Sequence, residues 1–134
     1  MRKEILSKVG YYPEDLGKYG GEERDLSFRI IKYWKILYAA DIVIYHKISQ
    51  NGRMPKKEEN FFRYRNQVLV LGRYLPFIYR WSSFVAWSGW YILKKNGKLK
   101  EIWQVFKELV RVKKSVIDSK TLEYIKGVDG RLFY

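Results

Sequence analysis

The sequence predicts a mixed α/β fold in which helices dominate, and three observations lead to this fold class. An amphipathic pattern follows the paired glycines at positions 20 and 21. Two short runs rich in β-branched and aromatic residues come next, KILYAA and DIVIYHK, and they favour strands. The remainder combines apolar and basic residues at helical spacing. A chain of 134 residues, 47% of them hydrophobic, is long enough for one compact domain with a packed core.

The first helix is predicted between about residues 22 and 34. It follows the segment VGYYPEDLGKYGG, whose four glycines and one proline predict a loop. Acidic residues occupy the opening turn, and Leu26, Ile30 and Trp34 then recur at helical spacing. Beyond the two predicted strands, SQNGRMPKK is typical of a basic loop that faces solvent or a ligand.

The second half is predicted to be helical, with breaks at Pro76 and at Asn96-Gly97. Its uncharged stretch, residues 81–93, holds thirteen residues, fewer than the ~20 that a transmembrane helix needs. The tryptophans of this stretch match the aromatic anchors of a membrane interface, or alternatively form the core of a helical hairpin. The segment KLKEIWQVFKELVRVKK has an apolar stripe beside basic residues, which suits either a helix in an anionic interface or an ordinary surface helix.

The chain is strongly basic, with 27 Lys and Arg residues against 14 Asp and Glu residues and a pI near 9.8. An anionic partner is therefore expected: nucleic acid, phospholipid head groups or a phosphorylated substrate. The absence of cysteine excludes disulfides, a thiolate nucleophile and a thiolate metal site. The amino terminus has no continuous apolar stretch of the kind found in signal peptides, so the cytoplasmic side is expected.

Three features of the sequence can carry chemistry: the acidic cluster Glu22, Glu23 and Asp25, then Arg29, then the single histidine, His46. Each also has a purely structural interpretation. Carboxylates in a first helical turn are stabilising without any function. Arg29 can pair with Asp25, four residues earlier on the same helix face. A lone histidine after a strand is usually structural or solvated.

The order of these motifs resembles the carboxy-terminal half of a family 2, GT-A type inverting glycosyltransferase of the rhamnosyl- or galactofuranosyltransferase kind. The matching segments are VGYYPEDLGKYGGEERDLSFR, then ADIVIYHK, then RYRNQ. The resemblance covers roughly residues 8 to 75. It implies that the two short strands and the amphipathic helices belong to the carboxy-terminal part of a GT-A nucleotide-diphosphosugar transferase fold.

The resemblance also implies a mechanism in which a carboxylate deprotonates an acceptor hydroxyl, which attacks the anomeric carbon of a nucleotide-diphosphate sugar with inversion. The second residue of the acidic pair fills this role in the family, which assigns the base to Glu23, although family members more often carry aspartate there. Glu22 and Asp25 are the supporting carboxylates. Gly20 and Gly21 are expected to let the acceptor approach the backbone closely.

His46 is similar to the strand-end histidine that helps to hold a divalent cation, Mn²⁺ or Mg²⁺, in some family members. This cofactor is expected only in the complete enzyme. The basic residues Lys47 and Arg65, with Arg53 and Arg63 beside them in the sequence, are expected to bind phosphate as the nucleotide leaves.

The resemblance divides the chain into an acceptor-side catalytic segment, residues 1–75, and a basic aromatic helical tail, residues 76–134, that docks at a membrane interface. The nucleotide-diphosphate sugar is expected to bind through a missing or separate amino-terminal half, without which the chain is inactive. The expected partners are a glycan or glycolipid acceptor and an anionic membrane surface, and the expected location is the cytoplasmic face of the membrane, or alternatively the cytoplasm. The alternative function is a non-enzymatic basic module that binds anionic lipid or nucleic acid. Nucleic acid is not the expected partner, because no familiar readout motif is present.

Overall fold

The computed structural model of the chain describes residues 3–17, 19–37, 41–45 and 54–128. These residues form six α-helices and a short 3-10 turn, Glu14–Leu16. The helices are α1 Lys3–Val9, α2 Glu22–Ile31, α3 Lys56–Tyr74, α4 Phe77–Lys95, α5 Leu99–Arg111 and α6 Ser119–Gly127.

The predicted mixed α/β fold class is wrong, because the described residues form helices and no strand. Residues 35–37 and 41–45 of the two predicted strands have no strand partner in the described part of the chain, and the other residues of those strands lie outside it. The side chains of Leu37, Ile44 and Tyr45 are 84 to 87% exposed. The strand preference of a residue reflects how well its side chain fits a half-buried pleated surface. Without a neighbouring strand to form that surface, a strand-like composition does not produce a strand. The finding overturns the predicted GT-A sheet.

The centre of the fold is a hairpin of α3 and α4. Pro76 ends α3 as predicted, because its ring cannot continue a helix, and α4 begins at the next residue. The two helices pack antiparallel: the rings of Tyr64 and Tyr91 stack 4.5 Å apart, and the hydroxyl groups of Tyr64 and Ser88 are 2.8 Å apart in a hydrogen bond. At the other end of α4, Asn96 adopts a left-handed conformation and stops the helix, also as predicted.

Helix α5 packs against α3 through Val105 and Leu109, which are fully buried. Gly72 of α3 makes this approach possible, since a Cβ at that position would collide with the side chain of Leu109. The start of α5 is fixed by Glu101, whose carboxylate accepts a hydrogen bond from the backbone N–H of Lys98 at 2.8 Å.

Helix α2 also packs against the carboxy-terminal end of α3, where the ring of Phe28 stacks on Tyr74 at 5.0 Å. The segment after α5 returns to the end of α3, because the backbone N–H groups of Ser115 and Ile117 donate to the carbonyl groups of Arg73 and Tyr74. Helix α3 therefore contacts α2, α4, α5 and this returning segment, and it positions all of them.

No helix within the described ranges combines the length and the apolar character needed to cross a membrane. Helix α4 has 19 residues, but it includes Arg80, Lys94 and Lys95. The prediction that residues 81–93 are too short to form a transmembrane helix agrees with this finding.

The buried tyrosines make the fold sensitive to alkaline pH. Burial, together with the nearby Asp25 carboxylate, raises the pKa of Tyr74 to about 12, and burial also raises the pKa of Tyr64 and Tyr91. A raised tyrosine pKa means that the neutral phenol is favoured in the folded state. Its contribution is therefore complete below the unfolded pKa of about 10 and is lost as the pH rises towards 12.

We expect the free energy of unfolding, measured by urea titration with circular dichroism, to fall steadily between about pH 10 and pH 12. Tyr74→Phe should lower the stability at neutral pH, since a hydrogen bond to Asp25 is lost, and should make the alkaline decline shallower. Tyr33→Phe is the control, because Tyr33 is exposed, and it should leave the decline unchanged. A stability that stays constant up to pH 12 would contradict the assignment.

Candidate functional site

A surface cavity of about 860 Å³ lies where the loop before α2 meets the faces of α3 and α4. Its volume is within the range of ligand-binding clefts. The residues that line it are Tyr19, Gly20, Gly21, Glu22, Glu23, Arg24, Ser27, Arg63, Gln67 and Trp87. The structure thus brings the two predicted acceptor-binding glycines and two of the three predicted catalytic carboxylates onto one cavity.

The glycine loop at the edge of the cavity is held by α3. Gly20 and Gly21 have φ values of 75° and 95°, in the left-handed region that favours glycine. A Cβ on Gly21 would also lie only 3.0 Å from the Cβ of Asn66. The Asn66 side-chain amide donates to the carbonyl groups of Leu16, Tyr19 and Gly20 at 2.7 to 2.8 Å. Because one amide ties three carbonyls, the loop has a defined position relative to the cavity.

The carboxylates of the cavity belong to the first turn of α2. Glu22 is half-buried and Glu23 is exposed, so both can be reached from solvent. The backbone N–H groups at the start of α2 point towards this turn, and the helix dipole stabilises negative charge there. One helical turn later, Ser27 also lines the cavity, and its hydroxyl donates to the backbone carbonyl of Glu23 at 2.7 Å. An exposed carboxylate at this place has the chemistry of a general base.

The third predicted carboxylate, Asp25, does not line the cavity. It lies two positions after Glu23, about 200° round the helix, and is 1% exposed. Its oxygens accept hydrogen bonds from Arg29 at 2.8 Å, Arg73 at 2.8 Å and Tyr74 at 3.0 Å. The pairing of Arg29 with Asp25, predicted from their spacing, is confirmed. The structure gives Asp25 the role of an anchor between α2 and α3.

The cavity also carries positive charge. Arg24 is half-buried, and burial lowers the pKa of its guanidinium. Arg63 is exposed and lies 3.4 Å from the Glu59 carboxylate on the same helix. Charges of both signs therefore line the cavity, with Glu22 and Glu23 opposed by two arginines.

The residues predicted to bind phosphate and metal lie elsewhere or outside the described ranges. Arg65 does not line the cavity: its Nε donates to Glu108 at 2.6 Å and its Nη1 to Asn66 at 2.7 Å. Its role in phosphate binding stays a prediction. His46 and Lys47 lie outside the described residues. Within the described part of the chain, no group of three or more His, Asp or Glu side chains is placed to hold a metal ion, so the expected cation also stays a prediction.

Several residues of the cavity were not predicted as site residues, and Gln67 and Trp87 are the two that come from α3 and α4. Gln67 is part of the RYRNQ segment, and its spacing of four from Arg63 places the two side chains on one face of α3. That spacing was a usable signal. Trp87 gave no such signal, because the sequence predicts it only as a membrane anchor or a core residue, and the packing of α4 against α3 brings it to the cavity.

Comparison with known proteins identifies a related protein but no activity. No protein-family model matches the chain, and no solved structure matches it. A protein of Haemophilus influenzae, described as an uncharacterized protein, is 68% identical over 31 residues, which are 23% of this chain and 91% of that protein. The chain belongs to the same family as this Haemophilus protein. Because that description gives no activity, the function of this chain is inferred from its candidate site.

Proposed function

We propose that this chain is the acceptor-side part of an inverting glycosyltransferase similar to family 2, which transfers a sugar from a nucleotide-diphosphate sugar to a hydroxyl acceptor. The observation that carries the proposal is that Gly20, Gly21, Glu22 and Glu23 line the same cavity. A general base has to be within hydrogen-bond reach of the proton that it removes, so base and acceptor must share one cavity. In this proposal the nucleotide sugar binds to the donor-binding half that the resemblance implies.

In the proposed mechanism, the cavity binds the acceptor with its reacting hydroxyl towards α2. The Glu23 carboxylate accepts the hydroxyl proton while the hydroxyl oxygen forms a bond to the anomeric carbon. The bond between the anomeric carbon and the diphosphate oxygen breaks, and the nucleoside diphosphate leaves with the electron pair. Attack from the side opposite to the leaving group inverts the anomeric configuration.

The experiment that tests this proposal uses the cells that make the chain. Washed membranes from wild-type cells and from a deletion strain are supplied with labelled nucleotide sugars, and incorporation into glycolipid and polysaccharide is measured. We expect one sugar to be incorporated by wild-type membranes and by the complemented strain only. Equal incorporation of every sugar by wild-type and deletion membranes would overturn the proposal.

A second feature supports a location at a membrane surface. An aromatic face, defined as Phe77, Trp81, Phe84, Trp103 and Phe106, runs from α4 to α5 through ring contacts of 5.2 to 6.1 Å. Its outer members are strongly exposed, Phe77 at 76% and Trp103 at 60%. Exposed contiguous apolar surface is typical of an interaction site.

Helix α5 has the composition of an interfacial helix. Val105 and Leu109 face the core, whereas Leu99, Trp103 and Val110 are 55 to 77% exposed on the other side. Exposed basic residues flank that apolar strip, and they are Lys100, Lys107 and Arg111. The arrangement differs from the single stripe predicted from the sequence, because the exposed apolar residues lie beside the basic ones. We propose that this face binds an anionic lipid surface, with the apolar side chains inserted and the cations near the head groups.

Vesicle flotation checks the lipid interaction. We expect the chain to float with vesicles that contain anionic phosphatidylglycerol and not with neutral phosphatidylcholine vesicles. The variant Trp103→Ser/Val110→Ser should bind the anionic vesicles at least about tenfold more weakly, since apolar area is withdrawn from the bilayer. The control Tyr11→Ser/Tyr12→Ser removes exposed aromatic residues of another segment and should float like the wild type. An electrophoretic shift with DNA or RNA, together with no flotation, would favour the nucleic-acid alternative.

A further inference from the structure

A separate pocket of about 410 Å³ lies where the turn after α2 meets the start of α6. This lysine pocket is lined by Lys32, Lys35 and Lys120 together with aromatic residues. Lys35 and Lys120 are exposed and Lys32 is half-buried, so a ligand can reach all three from solvent. The volume is within the range of small-ligand sites. None of the described residues that line the lysine pocket also lines the cavity of Glu23.

The wall that comes from α2 is a turn held in place at both ends. The backbone N–H groups of Tyr33 and Trp34 donate to the carbonyl group of Ile30, at 2.9 and 3.0 Å. The Lys32 ammonium group donates to the backbone carbonyl and to the hydroxyl of Ser115, at 2.8 Å each. Because Ser115 belongs to the segment that leads into α6, these bonds fix the turn relative to the opposite wall.

The lysine pocket has more positive than negative charge. None of its three lysines forms an ion pair with a carboxylate of a described residue. The carboxylate among the described lining residues is that of Asp118, which accepts a hydrogen bond from the backbone N–H of Thr121 at 2.7 Å. Burial lowers the pKa of Lys32, with Asp118 acting in the opposite direction. A lysine with a full counter-charge would have a raised pKa instead, so the pocket lacks anionic charge.

Exposed aromatic rings lie beside these cations. Tyr33, Trp34 and Tyr124 line the lysine pocket, and Tyr33 and Trp34 are 57% and 36% exposed. The Nζ of Lys8, from α1, lies 4.6 Å from the centroid of the Tyr33 ring and 5.2 Å from that of Trp34, which adds a further positive charge near this wall. Exposed rings next to cations suit a ligand that has an apolar part and an anionic part.

The charge of the lining selects the anionic group. Three ammonium groups against one carboxylate leave two positive charges without compensation. A phosphate monoester carries a charge of about −1.5 to −2 at pH 7 and three acceptor oxygens, whereas a carboxylate carries a single charge. Lysine binds phosphate as a point charge and needs no fixed bidentate geometry. A phosphate group fills only part of the volume, so an organic group has room beside the exposed rings.

We infer that the lysine pocket binds a phosphate monoester, whose phosphate is held by the three lysines and whose organic part packs against Trp34. This binding does not depend on the proposed transfer reaction, because the pocket and the cavity of Glu23 share no described residue. It also uses other residues than the aromatic face of α4 and α5.

Isothermal titration calorimetry of the purified chain tests the inference, with phenyl phosphate, inorganic phosphate and benzoate as probes. We expect phenyl phosphate to bind at least about tenfold more tightly than inorganic phosphate, since its ring is removed from water. It should also bind at least about tenfold more tightly than benzoate, which has the same ring but a single charge.

Three variants separate the parts of the pocket. Lys120→Gln removes an exposed charge and should weaken the binding of both phosphates about threefold. Lys32→Met should weaken both about tenfold. Trp34→Leu should weaken the binding of phenyl phosphate and leave that of inorganic phosphate unchanged. Lys32→Met also loses the bonds to Ser115, so its folding is checked by circular dichroism, whereas Lys120→Gln changes only an exposed side chain.

Matched controls make the same changes on α5, outside the pocket. Lys107→Gln removes one exposed positive charge and Trp103→Leu one exposed indole, and both should bind phenyl phosphate like the wild type. Four results would overturn the inference. They are no binding of either phosphate, equal binding of benzoate and phenyl phosphate, unchanged binding by Lys120→Gln and folded Lys32→Met, or an equal loss in Lys107→Gln and Lys120→Gln, which would show an effect of net charge alone.

Vesicle flotation then identifies the source of the phosphate. Phosphatidic acid presents a phosphate monoester at the membrane surface, whereas phosphatidylglycerol presents only a diester. If Lys120→Gln floats less than the wild type with phosphatidic acid vesicles and equally with phosphatidylglycerol vesicles, the ligand is a lipid head group. If Lys120→Gln floats like the wild type with both but binds phenyl phosphate more weakly, the ligand is a soluble phosphate ester.

Discussion

Glu23→Gln is expected to lower the rate of sugar transfer by about 10² to 10⁴-fold, the usual contribution of a general base. The substitution keeps the size and shape of the side chain but removes the proton acceptor. Glu23 is exposed in the first turn of α2 and its carboxylate makes no ion pair within the described residues, so the fold should persist. The measurement is the initial rate of label incorporation by washed membranes that contain equal amounts of the variant and the wild type.

Two further variants decide what a loss of transfer means. Glu123→Gln makes the same change on an exposed position of α6 and should leave the rate unchanged. Glu22→Gln tests the choice within the acidic pair, since both carboxylates line the cavity. A large loss with Glu22→Gln and none with Glu23→Gln would move the base by one residue. Normal rates in both variants would show that neither carboxylate is the base and that the proposed mechanism is wrong.

The helices of this chain could be predicted from the sequence because their signals are local. The start of α2 follows a glycine pair and carries acidic residues in its first turn, and the structure begins it at Glu22. The end was predicted three residues too late, at Trp34 instead of Ile31. Pro76 and Asn96 stop α3 and α4 by their own backbone preferences, whatever surrounds them. Such features need no knowledge of the tertiary fold.

The strands could not be predicted in this way, because a strand exists only with a partner. The runs KILYAA and DIVIYHK have the composition of strands, yet the described parts of both pair with nothing in the described chain. The residues of the candidate site also fall into a group that local sequence predicts and a group that it does not. Gly20 to Glu23 are contiguous, so the sequence shows them as a group, whereas Gln67 and Trp87 reach the cavity only through the packing of α3 against α4.

The basic composition has two physical sources that the sequence does not separate. Three arginines form ion pairs inside the fold. Arg29 pairs with Asp25, and Arg65 pairs with Glu108. Arg73 pairs with both Asp15 and Asp25. Their charges are therefore used inside the fold. Exposed lysines and arginines of α5 lie beside exposed apolar side chains instead. The net charge is +13, but only the charges that remain exposed are evidence for an anionic partner.

Asp25→Ala is expected to lower the free energy of unfolding by about 3 to 5 kcal/mol, the usual effect of removing one partner from a buried ion pair. Asp25 is 1% exposed and accepts hydrogen bonds from Arg29, Arg73 and Tyr74, so its loss removes one buried acceptor from each of two guanidinium groups and a phenol. The measurement is urea unfolding at neutral pH. Asp15→Ala is the control: Asp15 also pairs with Arg73 but is exposed, and its removal should cost at most about 1 kcal/mol.

A double variant shows whether the lost stability comes from uncompensated charge. In Asp25→Ala/Arg73→Met an arginine that would lose its buried partner is replaced by an apolar side chain, so part of the stability should return relative to Asp25→Ala. If Asp25→Ala unfolds within about 1 kcal/mol of the wild type, the carboxylate is not the anchor between α2 and α3. If such a stable variant also fails to transfer sugar, Asp25 acts in the chemistry, as the resemblance to glycosyltransferases implies. Stability and transfer measured on one variant therefore separate the two roles that a buried carboxylate in the first turn of α2 can have.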